Sequence, residues 1–397
     1  MNRRKKRPSG GKGYGLAWAA SLLALAALVL CGWWMLPAGV DPALAVAGPA
    51  ALFPVGEPQA TPFPGGPDPA SDPQDLQEPQ GTQEGQTALS PEEELYQTVY
   101  SAVNELQQTV SVTSGDKEAL REVLARILHR PEFFWLDGYN MQSMGDEHQV
   151  TFQWKYSDLE TKRAQVEQAA LRALEAVPAG AGEYETALTI HDWLCENIVY
   201  EFSSDGSDQD LYGALVNGRC VCAGYSAAYE YLLTRAGLQA ETVRGMASSD
   251  GTTEAHAWSK VQLEGDTYYI DVTWDDNEDG YDHFWFGLTS TRMGVTHFAD
   301  ESQGAAMTPS SAVACNYYRR NGMTLDLFSE EKLVQLLQAQ AGPQFFVCAS
   351  DQDTFDQLKA LFDGQSIYAL LEQAGHPAGG LEYSFIDGAL GLKFTLR

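Results

Sequence analysis

Cys222 is the residue of this sequence whose local context best suits a nucleophile. A turn at 217–219 leads into a run of small residues, and an apolar segment at 229–233 then ends before Gly237. This pattern predicts a loop that enters a helix and a glycine C-cap that ends it. Cys222 would lie in the first helical turn, where the positive end of the helix dipole stabilises a thiolate.

His256 and Asp271 are the partners that such a thiol needs. Segments 256–263 and 267–274 flank a Glu-Gly-Asp turn and predict a β-hairpin. Alternation assigns one set of apolar residues to the core face: Val261, Leu263, Tyr268, Ile270 and Val272. His256 and Asp271 would then share the opposite, non-core face. There His256 would take or share the thiol proton, and Asp271 would orient the imidazole and stabilise the imidazolium.

Other reactive side chains have plainer interpretations. Cys220 is the rival nucleophile, but we interpret it as a packing residue, and we expect no disulfide between Cys220 and Cys222. His191, beside Asp192 in a predicted helix, is interpreted as a structural histidine.

No metal or cofactor is predicted. Residues 275–280 begin like a calcium loop, but the twelfth position is Phe286, where a bidentate glutamate is required. We interpret this segment as an acidic surface turn. The Cys-x-Cys pair lacks the further cysteines of a zinc site.

The motifs in this order resemble the transglutaminase-like domain of bacterial surface proteins. They are Tyr-Gly-Ala-Leu at 212–215, Cys-x-Gly-Tyr at 222–225, Gly245, His-Ala-Trp at 256–258 and Asp-Val-Thr-Trp at 271–274. Flanking similarities are His-Asp-Trp-Leu at 191–194 and Asn-Tyr-Tyr at 316–318. The resemblance covers 183–318 and extends more weakly upstream to Pro131.

This resemblance implies a papain-like α+β fold, in which the helix that carries the cysteine packs on an antiparallel sheet. It implies Cys222, His256 and Asp271 as a catalytic triad. Two neighbours complete the predicted site: Tyr212 would help to stabilise an oxyanion, and Trp258 would form a pocket wall. The family includes crosslinkers, peptidases and inactive members, so the resemblance does not select a reaction.

The rest of the chain divides by composition and periodicity. The predicted regions are 1–13 (a basic tail), 14–36 (a transmembrane anchor), 37–91 (a disordered Pro/Gly/Gln-rich linker), 92–182 (an N-terminal α/β region), 183–317 (the core) and 318–397 (a small C-terminal α+β region). Helices are expected at 92–129, 159–177, 183–199, 328–341 and within 353–374. Strands are expected at 149–156 and 345–348, with a hairpin at 381–396.

The apolar segment near the N-terminus predicts that the protein is anchored in a membrane. Residues 14–36 carry no charge and are long enough to span a bilayer, and the basic residues at 3–7 favour a cytoplasmic N-terminus. A cleaved signal peptide, with Ala-Leu-Ala at 43–45 as the cleavage site, is the alternative. A lipoprotein signal at Cys31 is a weaker alternative, because Leu30 precedes it where a small residue is required.

Charge narrows the partners. The chain has 54 acidic and 25 basic residues, a net charge of −29, so nucleic acid is not an expected partner. The leading hypothesis is an extracytoplasmic cysteine enzyme that acts on peptide or protein amides. Peptides or proteins of the cell envelope are candidate substrates. The alternative is a non-catalytic binding or assembly module on a membrane tether.

Overall fold

The computed structural model describes residues 89–249, 251–277, 280–300 and 307–397. The predicted anchor at 14–36 and nearly all of the predicted linker lie outside these ranges. Within them, no helix combines the length and the apolar character that crossing a membrane requires.

The N-terminal region is a three-stranded antiparallel sheet flanked by helices. Its elements are α1 (Pro91–Asn104), β1 (Thr109–Thr113), α2 (Lys117–Leu128), β2 (Leu136–Met144), β3 (Glu147–Trp154) and α3 (Leu159–Leu174), with strand order β1-β3-β2. Ser90 caps α1 by accepting from the Glu93 N–H at 3.2 Å, which confirms the predicted helix start. The prediction of continuous helix over 92–129 is wrong. The Thr-Val-Ser-Val-Thr run of β1 suits a half-buried strand, and its side chains alternate between exposed and buried.

The central region carries the predicted site. Its elements are α4 (Glu183–Asn197), β4 (Val199–Tyr200), β5 (Arg219–Cys220), α5 (Cys222–Arg235), β6 (Ala240–Ser249), β7 (Thr252–Leu263), β8 (Asp266–Ile270), α6 (Val272–Asp275), β9 (Asp276–Asn277), β10 (Gly280–Tyr281), β11 (Phe286–Leu288), α7 (Ser290–Met293) and β12 (His297–Ala299). The main sheet is antiparallel with the order β11-β8-β7-β6-β12. The predicted hairpin is β7-β8, and Leu263 pairs with Asp266 across its two-residue turn.

Both faces of this sheet are buried. The five residues assigned to the core face do belong to the main hydrophobic core, which includes α5 and the N-terminal region. The opposite face, which the sequence predicted to be a non-core face, is buried as well. Val243, Trp258 and Tyr269 are buried there in a second cluster, together with Phe284 and Trp285.

The C-terminal region has a core of its own and supports the segment that follows α6. Its elements are α8 (Tyr317–Arg320), β13 (Thr324–Leu325), α9 (Glu330–Gln338), β14 (Gln344–Ala349), α10 (Gln352–Asp363), α11 (Ile367–Gln373), β15 (Leu381–Ile386) and β16 (Gly391–Leu396). The backbone of the C-terminal region lies against Phe284 and Trp285. A Cβ added at Gly391 would lie 2.3 Å from the Phe284 ring, and one added at Gly388 would lie 2.6 Å from the Trp285 ring. Phe284 and Trp285 are thereby fixed from the C-terminal side.

Gly224, in the first turn of α5, is predicted to be intolerant of alanine. A Cβ there would lie 2.4 Å from the Cβ of Cys220 and 2.8 Å from the carbonyl oxygen of Asp208. Since one of these atoms is backbone, α5 must shift, at a cost of about 1–3 kcal/mol. Thermal melts should show a lower Tm for Gly224→Ala. Gly182→Ala is the control, because a Cβ at Gly182 has no atom within 4 Å; equal Tm values for the two variants would contradict the prediction.

Candidate active site

Cys222 is the first residue of α5, and Val221 is the N-cap. The Cys222 thiol is free and partly exposed. The N-cap side chain is apolar and forms no capping hydrogen bond. The helix end is therefore open to a negative charge at the sulfur or at a group bound next to it.

Cys220 has the opposite environment. Its side chain is fully buried beneath Gly224. Burial raises the pKa of the Cys220 thiol well above its ordinary value, and the neighbouring Cys222 and Asp208 act in the same direction. A thiol of this kind is a packing group and a poor nucleophile.

His256 lies on β7 between the thiol and a carboxylate. Its Nε2 is 2.7 Å from Oδ2 of Asp271, and the Cys222 thiol is near enough to act on the pKa of the imidazole. With Nε2 occupied by Asp271, Nδ1 is the nitrogen left to face the sulfur. Burial opposes the imidazolium, but the charge and hydrogen bond of Asp271, followed by those of Cys222, raise the pKa of His256 to about 10.

Asp271 is a helix cap as well as the partner of His256. The strand predicted over 267–274 ends at Ile270, and Asp271 caps α6 by accepting from the N–H groups of Thr273 at 3.0 Å and Trp274 at 3.2 Å through Oδ1. Burial opposes ionisation, but the charge and hydrogen bond of His256 lower the pKa of the Asp271 carboxyl below its usual range. The cap fixes the carboxylate and leaves Oδ2 free for imidazole.

His297, on β12, is a fourth member of the site that the sequence did not indicate. Its Nε2 lies 3.0 Å from Oδ2 of Asp271, and its Nδ1 lies 2.8 Å from the Thr296 hydroxyl. Burial lowers the pKa of His297, although Asp271 opposes this. The available signal was a lone histidine in a segment for which no element was predicted.

The two predicted pocket residues have different positions. Trp258 is fully buried, and its ring lies parallel to that of His256 with centroids 6.3 Å apart, so it supports the imidazole from within the fold. The structure does not bring Tyr212 into contact with Cys222. The Tyr212 hydroxyl donates to Gln165 Oε1 at 3.0 Å, and its ring stacks near Phe134. Tyr200 is the tyrosine close enough for the charge of Cys222 to act on it.

Comparison with known proteins finds a family match for the part of the chain that carries Cys222, His256 and Asp271. Residues 172–273 match the family model of the transglutaminase-like superfamily. This part of the chain is thus similar to transglutaminase-like domains. Human kyphoscoliosis peptidase is 28% identical over 104 residues, which span 23% of this chain and 16% of that protein.

The solved structures that match this chain have low overall similarity to it. A TGase structure has 13% identity and a TM-score of 0.25, covering 35% of this chain and 44% of that one. The periplasmic domain of TgpA from Pseudomonas aeruginosa has 18% identity and a TM-score of 0.21, covering 35% of this chain and 62% of that one.

A second histidine–carboxylate cluster lies at the other end of α6. The fully buried Asp275 accepts from the Trp285 N–H at 2.9 Å and lies 3.1 Å from Nε2 of His191. Nδ1 of His191 and Nε2 of His283 both contact Oδ1 of Asp192, at 2.9 and 2.7 Å. His191 is thus a structural histidine, as predicted. The acidic surface turn is a wrong interpretation for Asp275, because its carboxyl is buried among these partners.

Two groups in the described part of the chain are compact enough to hold a metal ion. They are His191, Asp192 and His283, and His256, Asp271 and His297. In both groups a carboxylate already lies within hydrogen-bonding distance of two imidazoles. Hydrogen bonding therefore accounts for both groups.

His297 should be needed for catalytic geometry more than for folding. In His297→Gln the amide can still donate to Asp271, whereas His297→Leu leaves one carboxylate hydrogen bond unmade. We expect the leucine variant to lower the alkylation rate of Cys222 by about tenfold and the glutamine variant to lower it less. Rates should be compared for variants whose melts show folded protein. Equal rates in wild type and His297→Leu would show that His297 does not orient the site.

Proposed function

We propose that this chain is a cysteine enzyme that performs acyl transfer on peptide or protein amides through Cys222, His256 and Asp271. The observation that carries the proposal is that the partly exposed Cys222 thiol acts on the pKa of the buried His256, whose imidazole lies 2.7 Å from the Asp271 carboxylate. A helix N-terminus at the thiol, a raised pKa at His256 and a capped carboxylate at Asp271 suit a thiolate–imidazolium pair.

The reaction begins with attack of the Cys222 thiolate on the carbonyl carbon of the substrate amide. Negative charge then develops on the carbonyl oxygen, close to the N-terminal N–H groups of α5. His256 gives its Nδ1 proton to the leaving amine as the C–N bond breaks, and a thioester remains on Cys222. Water or a primary amine then attacks the thioester, His256 takes the proton of the attacking group, and the thiolate leaves.

The two acceptors give different enzymes. Water gives a peptidase or amidase, and a lysine-type amine gives a crosslinked product. Assays with a peptide amide, in the absence and presence of an excess of a primary amine, separate them by mass: release of ammonia or amine for hydrolysis, or addition of the amine for crosslinking.

The same proposal places the domain outside the membrane, with the segment at 14–36 as a single-pass anchor and cell-envelope peptides or proteins as substrates. Full-length protein should then keep its N-terminal peptide and stay with membranes after a high-salt wash. A soluble mature form that begins shortly after 43–45 would favour the cleaved signal peptide instead.

Labelling with iodoacetamide at neutral pH tests the catalytic proposal. Peptide mapping should find Cys222 alkylated faster than free cysteine, while the buried Cys220 stays unmodified in folded protein. If neither thiol reacts faster than free cysteine, the non-catalytic binding or assembly module becomes the better account.

A further inference from the structure

Arg244 is a cationic side chain placed beside the proposed nucleophile. On β6, Arg244 pairs with Ala257 of β7, and the next residue, Gly245, pairs with His256. Val243 and its partner Trp258 face the second cluster, so alternation directs Arg244 to the opposite face, where α5 packs. The Arg244 side chain thus lies on the face of the sheet that packs against α5. Arg244 is next in sequence to Gly245, the strand partner of His256.

Contacts between α5 and β6 fix where along the helix Arg244 lies. The Glu230 carboxylate of α5 accepts from the Thr242 N–H at 2.9 Å. Glu230 is about 12 Å along α5 from Cys222, and Arg244 is about 7 Å along β6 from Thr242 in the direction of His256. Arg244 therefore lies between Glu230 and Cys222, and the charges of both act on its guanidinium.

Within the ranges that the structure describes, the Arg244 guanidinium forms no side-chain hydrogen bond and no ion pair. Other arginines of the chain pair with glutamates: Arg130 with Glu132, Arg219 with Glu201, and Arg235 with Glu167. Outside the β6–β7 ladder, the backbone carbonyl oxygen of Arg244 accepts from the Asp300 N–H at 3.0 Å.

This position is costly for a cation. Arg244 is partly buried, and burial lowers its pKa although Glu230 and Cys222 oppose the shift. A desolvated charge without an ion-pair partner destabilises a fold unless a ligand supplies the partner. The planar guanidinium fork matches a carboxylate in a bidentate geometry.

We propose that Arg244 binds a carboxylate of the substrate, close to the acyl carbon that Cys222 attacks. This inference rests on the proposed function, since it assumes that acyl groups reach Cys222. It names the substrate class as acidic peptides or amides. The net charge of −29 repels anionic substrates at long range. A preference for acidic substrates would therefore have to come from a cation within the site, such as Arg244.

The test compares iodoacetate with iodoacetamide on the full-length protein. Both reagents alkylate the Cys222 thiolate with loss of iodide, and they differ in the carboxylate. We expect Arg244→Gln to lower the ratio of iodoacetate to iodoacetamide rates by about tenfold, with Arg244→Lys intermediate. Arg235→Gln, which removes one positive charge from the far end of α5, should leave the ratio unchanged.

Two further reagent pairs locate the carboxylate. Iodoacetyl-glycine against its amide presents a terminal carboxylate, and iodoacetyl-aspartate amide against iodoacetyl-asparagine amide presents a side-chain carboxylate. The pair with the larger Arg244-dependent ratio identifies the source. No dependence on Arg244 in any of the three pairs would overturn the inference.

The outcome is separable from failure of the proposed function. Slow iodoacetamide labelling of wild type would refute the activated thiol itself. Fast iodoacetamide labelling in wild type and in Arg244→Gln, with equal ratios in the two proteins for all three reagent pairs, would refute the subsite alone. Iodoacetamide rates and thermal melts, measured for each variant, serve as the controls for retention of the fold.

Discussion

Cys222→Ala should abolish acyl transfer and fast thiol alkylation, with a loss on the order of 10⁴- to 10⁶-fold in kcat/KM. The reason is positional, because Cys222 begins α5 and its thiol is near enough to His256 to act on the pKa of that imidazole. His256→Ala should be nearly as damaging, since it removes the proton acceptor and donor of both half-reactions. The measurement is the rate of iodoacetamide labelling, followed by turnover of a peptide amide once one is found.

Cys220→Ala is the matched control for Cys222→Ala. It removes a neighbouring thiol that is fully buried, with a raised pKa, and we expect it to retain most of the alkylation rate at some cost in stability. Retention of activity in Cys222→Ala with loss in Cys220→Ala would reverse the assignment of the nucleophile.

The sequence was sufficient for the parts of the site that depend on local pattern. The small-residue run predicts the start of α5 at Cys222, and period-two alternation predicts the hairpin that carries His256. The turn of this hairpin lies between Leu263 and Asp266 and keeps the apolar residues on one face. These features are short-range, so a single sequence expresses them.

Long-range pairing and polar capping were beyond the sequence. His297 reaches Asp271 because β12 pairs with β6, which precedes it by some fifty residues. Asp271 was placed in a strand because Val272 continues the alternation, whereas its carboxylate instead caps α6. Tyr212 was assigned to the site by its motif alone, and its hydroxyl is bonded to Gln165.

The short helix α6 joins the two histidine–carboxylate networks. Asp271 at its start holds His256 and His297, and Asp275 at its end contacts His191. The backbone of Trp285 bonds to both ends of α6. Its carbonyl oxygen accepts from the Asp271 N–H at 3.1 Å, and its N–H donates to the Asp275 carboxylate. The position of the triad carboxylate is thus set by α4, by α6 and by the C-terminal region that packs on Trp285.

Asp271→Asn should have a large effect, although a milder one than His256→Ala, because it changes charge while keeping size. The amide oxygen can still cap α6, but the negative partner of two imidazoles is lost. We expect a fall in kcat/KM on the order of 10⁴-fold, as the tautomer and orientation of His256 are no longer fixed. Breaking a buried ion pair on one side also destabilises, here by about 3–5 kcal/mol.

The pH dependence of that destabilisation distinguishes a charge effect from a packing effect. The pKa of His256 is about 10 in the fold against 6.5 when unperturbed, so its stabilisation is complete below pH 6.5 and is lost as pH rises toward 10. The pKa of Asp271 is lowered from 3.8, so its stabilisation is present above that pH and is lost under more acidic conditions. The difference in unfolding free energy between wild type and Asp271→Asn should be largest between about pH 4 and 6.5 and should shrink by pH 9. Urea unfolding at pH 5, 7 and 9 measures it, and a difference that does not change with pH would mean that Asp271 acts through packing and capping alone.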